Sequence, residues 1–453
     1  MTTEAFRKVF VLYTGGTIGM RYDAEGQLAP TSLKELKEFL IRMTILYEKK
    51  ADETEAQARA RIVSKEGWIL LPQKVVDDCR PEDEKTKCHV HYKIEAMEPL
   101  IDSSNMVPEE WFEIARRIQA VEEQYDSFVV LHGTDTMAYT SSALSFILKD
   151  LKKPVILTGA QRSIFHPRSD AVENFIGTML IAGCYSKTAA LQKVTLCNDC
   201  KVFQGNRVCK FDCDSFRVFD SPNVKPLAYL DTIIKVRNPK SRSVGETISV
   251  KSQETARDGG LPDVRLLRFF PGIQEKYVRS VLEGADGVVL ETFGSGNVPE
   301  HDWLKEALIE AKCRKVMMLN CTQVYKGTVQ PIYETSEAGV VVGYDITPEA
   351  AMTKMIWTLK TFSNCEMRRK HQQEPLKHQG EALELEVLAD WSNSSLPASE
   401  VIADINLNPP LDCSTGLAGA AGETVSGADT GPQEAAGAES RDWGTDKGTR
   451  KAA

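Results

Sequence analysis

Eight short apolar runs, each closing on glycine, threonine, asparagine, aspartate or a nearby polar turn, constrain this chain more than any other feature. They are KVFVLYTGGT from Lys8, FVVLHGTDT from Phe128, KPVILTGAQ from Lys153 and KVTLCND from Lys193, then VRLLRFFPG from Val264, DGVVLETFGSGN from Asp286, KVMMLNCT from Lys315 and GVVVGYD from Gly339. Continuous rather than alternating apolar runs fit strands buried on both faces of a parallel sheet. Helix-period segments lie between them, including PEEWFEIARRIQAVEEQ from Pro108, PEHDWLKEALIEAKC from Pro299 and PEAAMTKMIWTLKTF from Pro348. Each opens on Pro-Glu, which suits a first turn whose N–H groups lack partners and whose dipole favours negative charge. Strand, helix and strand in repetition predict an α/β fold with right-handed crossovers.

The two sets of strands are separated by a polar, poorly periodic stretch, RNPKSRSVGETISVKSQETARDGGLP from Arg237, which reads as a linker. The expected organisation is a larger N-terminal domain over 6–236, a linker over 237–261, a smaller C-terminal domain over 262–363 and a tail over 364–453. A charged insertion, EKKADETEAQARARIVSKEG from Glu48, reads as a surface helix. In the tail, nineteen of the 28 residues from Cys413 to Ser440 are Gly, Ala, Ser or Thr, with no aromatic, Lys or Arg. Such a segment buries too little apolar surface to offset its ordering entropy and is expected to be disordered. The preceding EALELEVLAD, from Glu381, reads as either a short helix or a docking motif.

Charge narrows the function. From His371 to Ala453 five basic residues face fourteen acidic ones, so the whole formal charge of −9 lies there and residues 1–370 are neutral. A neutral body argues against a nucleic-acid surface, which needs clustered Lys and Arg. No apolar run approaches the ~20 residues that span a bilayer. The N-terminal MTTEAFRKVFVLYTGG leaves no room for a signal peptide. Eleven scattered cysteines do not suggest a disulfide framework, so a reduced, cytoplasmic protein is expected.

In open α/β sheets ligands bind beyond the carboxyl ends of the strands. Three such ends carry chemistry. TGGTIG, from Thr14 to Gly19, turns sharply on two glycines and presents Thr17; its GGxxG pattern is neither a complete dinucleotide fingerprint nor a Walker loop. HGTDT, from His132 to Thr136, sets two hydroxyls around the carboxylate of Asp135, with Thr136 a possible helix cap and His132 read as a histidine satisfied under the loop. NDCKVFQGNRVCKFD, from Asn198 to Asp212, contributes Lys210. Its Cys197, Cys200, Cys209 and Cys213 are spaced too tightly for a zinc knuckle and read as packing thiols, so no metal is expected. With no GxSxG elbow and no HExxH, the nucleophile candidates are threonines. A threonine hydroxyl needs an adjacent base, which a desolvated lysine can be. Thr17, Thr134, Asp135 and Lys210 thus permit a nucleophile, relay, orienting carboxylate and base.

VLYTGGTIGM, VVLHGTDTMAYTSS, KPVILTGAQ, GNRVCK and LETFGSGN resemble the bacterial-type L-asparaginase family, in order and over residues 8–362. LYTGGTIGM, PLIDSSNM and FGSGN look most like the cytosolic type I animal members, although no ankyrin-length repeat is visible. The resemblance implies a two-domain, parallel-sheet-based fold with a flavodoxin-like C-terminal domain. It further implies hydrolysis of the side-chain amide of L-asparagine through a threonyl ester, with no cofactor. By the same resemblance Thr17 is the nucleophile, and Thr134, Asp135 and Lys210 form the accompanying triad. Asp102, Ser103 and Ser104 grip the substrate's α-amino and α-carboxylate groups. Asn297 is contributed across a subunit interface, which implies a homotetramer built as a dimer of dimers. One departure is Gln27, in AEGQLAP, where the family often carries a flap tyrosine; Tyr22 lies too early to take that place. The alternatives are a glutamine-dependent amidotransferase subunit, a lysophospholipase or acyl hydrolase, and a catalytically dead scaffold with an acidic docking tail.

Overall fold

The computed structural model describes residues 4–22, 25–43, 49–50, 52–79, 81, 87–237, 260–330 and 338–362. Most of the expected linker, the whole expected tail and the EALELEVLAD segment lie outside these residues.

The N-terminal part is built on one nine-stranded sheet. Its strands in chain order are β1 (Glu4–Gly15), β4 (Ile69–Leu70), β5 (Lys87–Ile101), β6 (Ser127–Leu131), β7 (Val155–Thr158), β8 (Val194–Asn198), β9 (Lys201–Gln204), β12 (Ala228–Leu230) and β13 (Ile234–Val236). Two hairpins stand apart from it, β2 (Met20–Tyr22) with β3 (Leu28–Pro30), and β10 (Cys209–Lys210) with β11 (Phe219–Asp220). Across the sheet the order is β13-β12-β9-β8-β7-β6-β1-β5-β4. The central five, β5, β1, β6, β7 and β8, run parallel, as the apolar runs predict, while β4, β9, β12 and β13 add antiparallel edges.

Both faces are covered. Along β1, Val9, Val11 and Tyr13 pack to one side with Phe175 and Met179, whereas Phe10 and Leu12 pack to the other with Ile114, Ile118 and Leu144. The first side is covered by helices α1 (Leu33–Arg42), α3 (Gln73–Cys79) and α6 (Ala171–Cys184), the second by α4 (Pro108–Ala120) and α5 (Met137–Ile147). The charged insertion does form a helix, α2 (Glu55–Ile62), whose Ala58 and Ile62 are nevertheless buried.

The C-terminal part has a four-stranded, all-parallel sheet of β14 (Val264–Arg268), β15 (Gly287–Thr292), β16 (Met317–Thr322) and β17 (Val341–Val342). Helices α7 (Glu275–Leu282), α8 (Asp302–Cys313) and α9 (Pro348–Thr361) flank it. α8 starts three residues later than Pro299 predicts, because His301 takes the N-cap place. α9 starts at Pro348 as expected, with the Thr347 side chain accepting from Ala350 N. It packs along α5, where Ile356 meets Trp111 and Ala143. No described helix is long and apolar enough to cross a membrane.

The chain leaves β1 toward β5 on one side and leaves β6 toward β7 on the other. The carboxyl ends of β1 and β6 therefore flank the point where strand order reverses, the place at which α/β sheets open a crevice for ligands.

Candidate active site

Two glycines bring the site together. At the end of β1 Gly15 and Gly16 have φ of 122° and 82°, a region that side chains with a Cβ avoid. A Cβ on Gly15 would sit 2.2 Å from the Ile101 carbonyl oxygen, and one on Gly16 would sit 2.3 Å from Gly133 N. The β1, β5 and β6 ends are in backbone contact there, so the substitution of either glycine by alanine forces them apart. Thr17, half-buried, heads a short 3₁₀ turn over Thr17–Gly19 immediately beyond.

That turn is pinned from below. Gly19 O accepts from Thr31 N at 3.0 Å, Thr31 Oγ1 at 2.6 Å and Tyr13 Oη at 3.2 Å, and Ile18 O accepts from Ile164 N at 3.0 Å. Burial pushes the Tyr13 phenol up to about 12, so it remains a donor throughout the physiological range.

The β6 end is fixed as firmly. Thr14 Oγ1 donates to Leu131 O at 3.0 Å, and Thr136 Oγ1 donates to Ser103 O at 2.8 Å. Thr136 is the N-cap residue of α5, yet it spends its hydroxyl on Ser103 and not on the helix. His132 is fully buried: Nδ1 lies 2.7 Å from Gly133 O and Nε2 lies 2.9 Å from Thr140 Oγ1. The carbonyl can only accept, so Nδ1 carries the proton and Nε2 accepts from Thr140. This is the satisfied structural histidine expected. Burial pushes its pKa down to about 4, against a model-peptide value near 6.5. Between pH 6.5 and 4 the unfolded chain therefore binds a proton that the native state does not, and stability falls as pH falls. We expect His132 to account for about 3 kcal/mol of that loss. Urea midpoints between pH 7 and pH 4 should decline less steeply in His132→Gln than in the wild type, and parallel curves would remove His132 from the account.

Lys210, Asp135 and Thr134 come into direct contact. Lys210 Nζ lies 2.6 Å from Asp135 Oδ1 and 3.1 Å from Thr134 Oγ1. Thr134 is 6% exposed and the Lys210 side chain 19%, whereas the Asp135 side chain is 63% exposed, so the carboxylate closes the pair from the solvent side. Residues 76 and 75 positions apart are thus joined by hydrogen bonds. Lys210 arrives there on the β10–β11 hairpin.

Ser103, buried, backs this arrangement, because a Cβ on Gly133 would meet its Oγ at 2.4 Å. Asp102 and Ser104 are exposed beside it, and Asp102 Oδ1 accepts from Ser104 N at 3.1 Å as the cap of a short turn. Asn297 does not join the group. It closes a tight turn in the C-terminal part through Phe293 N→Asn297 O (2.9 Å) and Asn297 N→Phe293 O (2.8 Å), and its Oδ1 is buried without a hydrogen-bond partner among the described residues. Tyr22 is exposed on the β2–β3 hairpin and Gln27 is exposed just before β3. Of the four clustered cysteines, Cys197 and Cys209 are buried, Cys200 is half-buried and Cys213 is exposed. Burial pushes both buried thiols up to about 12, as suits packing groups.

One contact was not anticipated from the sequence. Gln161 Nε2 donates to Thr134 Oγ1 at 2.8 Å. Gln161 closes the KPVILTGAQ run at a strand end, and that position was its only signal.

Comparison with known proteins gives the family. The family profile "Asparaginase, N-terminal" matches residues 8–242, and "Glutaminase/Asparaginase C-terminal domain" matches 263–371. An L-asparaginase of Dirofilaria immitis is 37% identical over 359 residues, which are 78% of this chain and 56% of that protein. A 60 kDa lysophospholipase of Mus musculus is 37% identical over 358 residues, 78% of this chain and 58% of that protein. The chain therefore spans little more than half the length of these two relatives. Among solved structures, L-asparaginase I of Vibrio cholerae superposes with a TM-score of 0.64 at 30% identity, covering 83% of this chain and 99% of that one. With both domain profiles matched in order along most of its described length, and relatives of this identity, the chain belongs to the asparaginase family.

Proposed function

We propose that the protein is a cytoplasmic amidohydrolase that converts L-asparagine to L-aspartate and ammonia through an ester on Thr17, without a cofactor. The observation that carries this reading is Lys210 Nζ held between Asp135 Oδ1 and Thr134 Oγ1 at the mouth of the β1/β6 crevice. In the first half-reaction Thr17 Oγ1 attacks the side-chain carbonyl carbon, its proton leaves for the leaving nitrogen, and the C–N bond breaks to release ammonia. In the second, water loses a proton by way of Thr134 and Lys210 and attacks the ester, restoring the Thr17 hydroxyl. The exposed Asp102 is suited to the substrate ammonium, with Ser103 and Ser104 at its carboxylate. The catalytic and binding residues lie in a domain over 6–236, and a second domain over 262–363 completes the fold.

Asparagine should be preferred to glutamine. Anchoring the α-carbon at the Asp102–Ser104 turn sets a fixed reach to Thr17, and misplacing the scissile carbon by ~1 Å can cost on the order of 100-fold. Ammonia release from asparagine and glutamine, with fatty-acid release from lysophosphatidylcholine measured in parallel, tests the reading. Equal turnover of both amides would favour the amidotransferase alternative, and hydrolysis of the lipid alone would favour the activity named for the mouse relative. We also propose a homotetramer arranged as a dimer of dimers. What supports this is the resemblance, which places Asn297 across a subunit interface, together with the closed even-numbered symmetry usual for soluble enzymes. A fully active monomer by light scattering at assay concentration would refute it.

A further inference from the structure

Thr134 Oγ1 is engaged by two nitrogens, not one. Lys210 Nζ approaches at 3.1 Å and Gln161 Nε2 at 2.8 Å. The Gln161 N–H can only donate and so holds one lone pair of the hydroxyl throughout, whereas Lys210 donates as an ammonium and, as the neutral amine a base step requires, accepts the Thr134 proton along the same contact.

The Gln161 donor is itself anchored. Gln161 N and Arg162 N each donate at 3.0 Å, to Oδ2 and Oδ1 of Asp170 respectively. Asn174 Nδ2 donates to the same carboxylate at 3.2 Å and to Gly159 O at 3.0 Å. The loop also lies flat against β6, since a Cβ on Gly159 would meet the His132 carbonyl oxygen at 2.3 Å. Three residues further on, Ile164 N holds Ile18 O in the Thr17 turn. One loop thus touches the turns that carry both threonines.

We infer that Gln161 is a positioning residue for the proposed reaction, acting through Thr134; the inference rests on that reading of the site. It holds the Thr134 hydroxyl in one rotamer. When the O–H bond of Thr134 breaks and an N–H bond forms on Lys210 Nζ, negative charge appears on Oγ1, and the Gln161 N–H faces that charge. A donor fixed on an oxygen that becomes anionic strengthens in the transition state and costs no reorganisation at that moment. Because its side chain bonds to Thr134 and not to the Asp102–Ser104 turn proposed to hold substrate, it should act on turnover and not on affinity.

The test is a double-mutant cycle run with whichever substrate the wild-type enzyme turns over. Gln161→Met keeps the length and removes the donor. It should lower kcat by about 10-fold or more with KM unchanged within about 2-fold, the scale of one charge-assisted hydrogen bond. Gln161→Glu keeps the shape and places a carboxylate beside an oxygen that must become negative, so it should be slower than Gln161→Met. In a Thr134→Val background the donor has no oxygen to serve, and adding Gln161→Met should change the residual rate by less than about 2-fold. Additive losses, or a glutamate variant as active as wild type, would overturn the inference. A second arm needs no activity. The side-chain amide resonance that disappears in Gln161→Met should shift in Thr134→Val by ¹⁵N NMR, and an unmoved resonance would overturn the contact. A wild-type protein silent on asparagine would sink the proposed function alone, leaving the NMR arm to decide on Gln161.

Discussion

Thr17→Val is expected to lower turnover of asparagine by about 10⁴-fold or more while leaving substrate affinity within about 3-fold of wild type. Valine matches threonine in shape, so the change removes the attacking oxygen and little else. The turn itself should persist, because the bonds that hold it end on the carbonyls of Ile18 and Gly19 and not on the Thr17 side chain. Binding of asparagine by calorimetry to an inactive protein is the measurement, and loss of binding in step with activity would mean that the turn had collapsed. Thr134→Val separates the two half-reactions. If Thr17 is the first nucleophile, mass spectrometry should find an aspartyl ester on Thr17 accumulating in that variant. An adduct on Thr134 in the Thr17→Val protein, with turnover retained, would reverse the roles.

Lys210→Met and Asp135→Ala should differ from each other. Lys210 contacts Thr134 and Asp135, and its loss should cut the rate with modest effect on affinity. Asp135, whose side chain stands largely in solvent at the mouth, is placed to meet a substrate ammonium as well, so its loss should damage both. Groups that act as one unit give non-additive losses, and Thr17→Val with Lys210→Met should be hardly worse than Thr17→Val alone.

What could be read in advance follows from range. The inner parallel strands were legible because burial on both faces leaves continuous apolar runs. The edge strand β14 was legible from composition although only its Leu267 is buried, and the candidate-site loops were legible because each is a short polar segment at the end of such a run. β5 was not, although it is the longest strand. Its Cys88, Val90, Tyr92 and Ile94 are buried while His89, His91 and Lys93 between them are only half-covered, which is alternation and not a run. Helices α5 and α6 were missed for the opposite reason, since they are buried nearly all round and show no amphipathic period. Thr136 illustrates a local rule overridden, its hydroxyl drawn off the helix end by Ser103. Gln161 and the Arg207–Asp345 pair belong to a third class. Each is defined by a partner far away in the chain, and nothing local distinguishes a glutamine that will meet Thr134 from one that will meet water.

Asp345→Ala is expected to cost about 3 kcal/mol of stability and a measurable part of the activity. Arg207, 3% exposed, lies in the loop between β9 and β10, three residues before Lys210, and both of its terminal nitrogens bond to the Asp345 carboxylate of the C-terminal part, Nη1 at 2.9 Å. The tie is reinforced on both sides. Ser221 Oγ donates to Arg207 O at 2.6 Å, and Asn223 Nδ2 donates to Asp345 O and Gly327 O, each at 3.2 Å, while Asn223 Oδ1 accepts from Gly327 N. A surface ion pair would be worth ~0–1 kcal/mol, but here the guanidinium is out of water, and removal of its carboxylate leaves a buried charge poorly compensated. The loop that carries Lys210 then loses its hold on the second domain, so kcat should fall although Asp345 is no part of the triad. Urea unfolding monitored with ammonia release measures both. The pair can be separated from mere packing by Arg207→Met with Asp345→Leu, which removes both charges and should recover most of the stability lost in Asp345→Ala. An unchanged urea midpoint in Asp345→Ala would show that solvent screens the pair, and would remove the second domain from the account of how Lys210 is held.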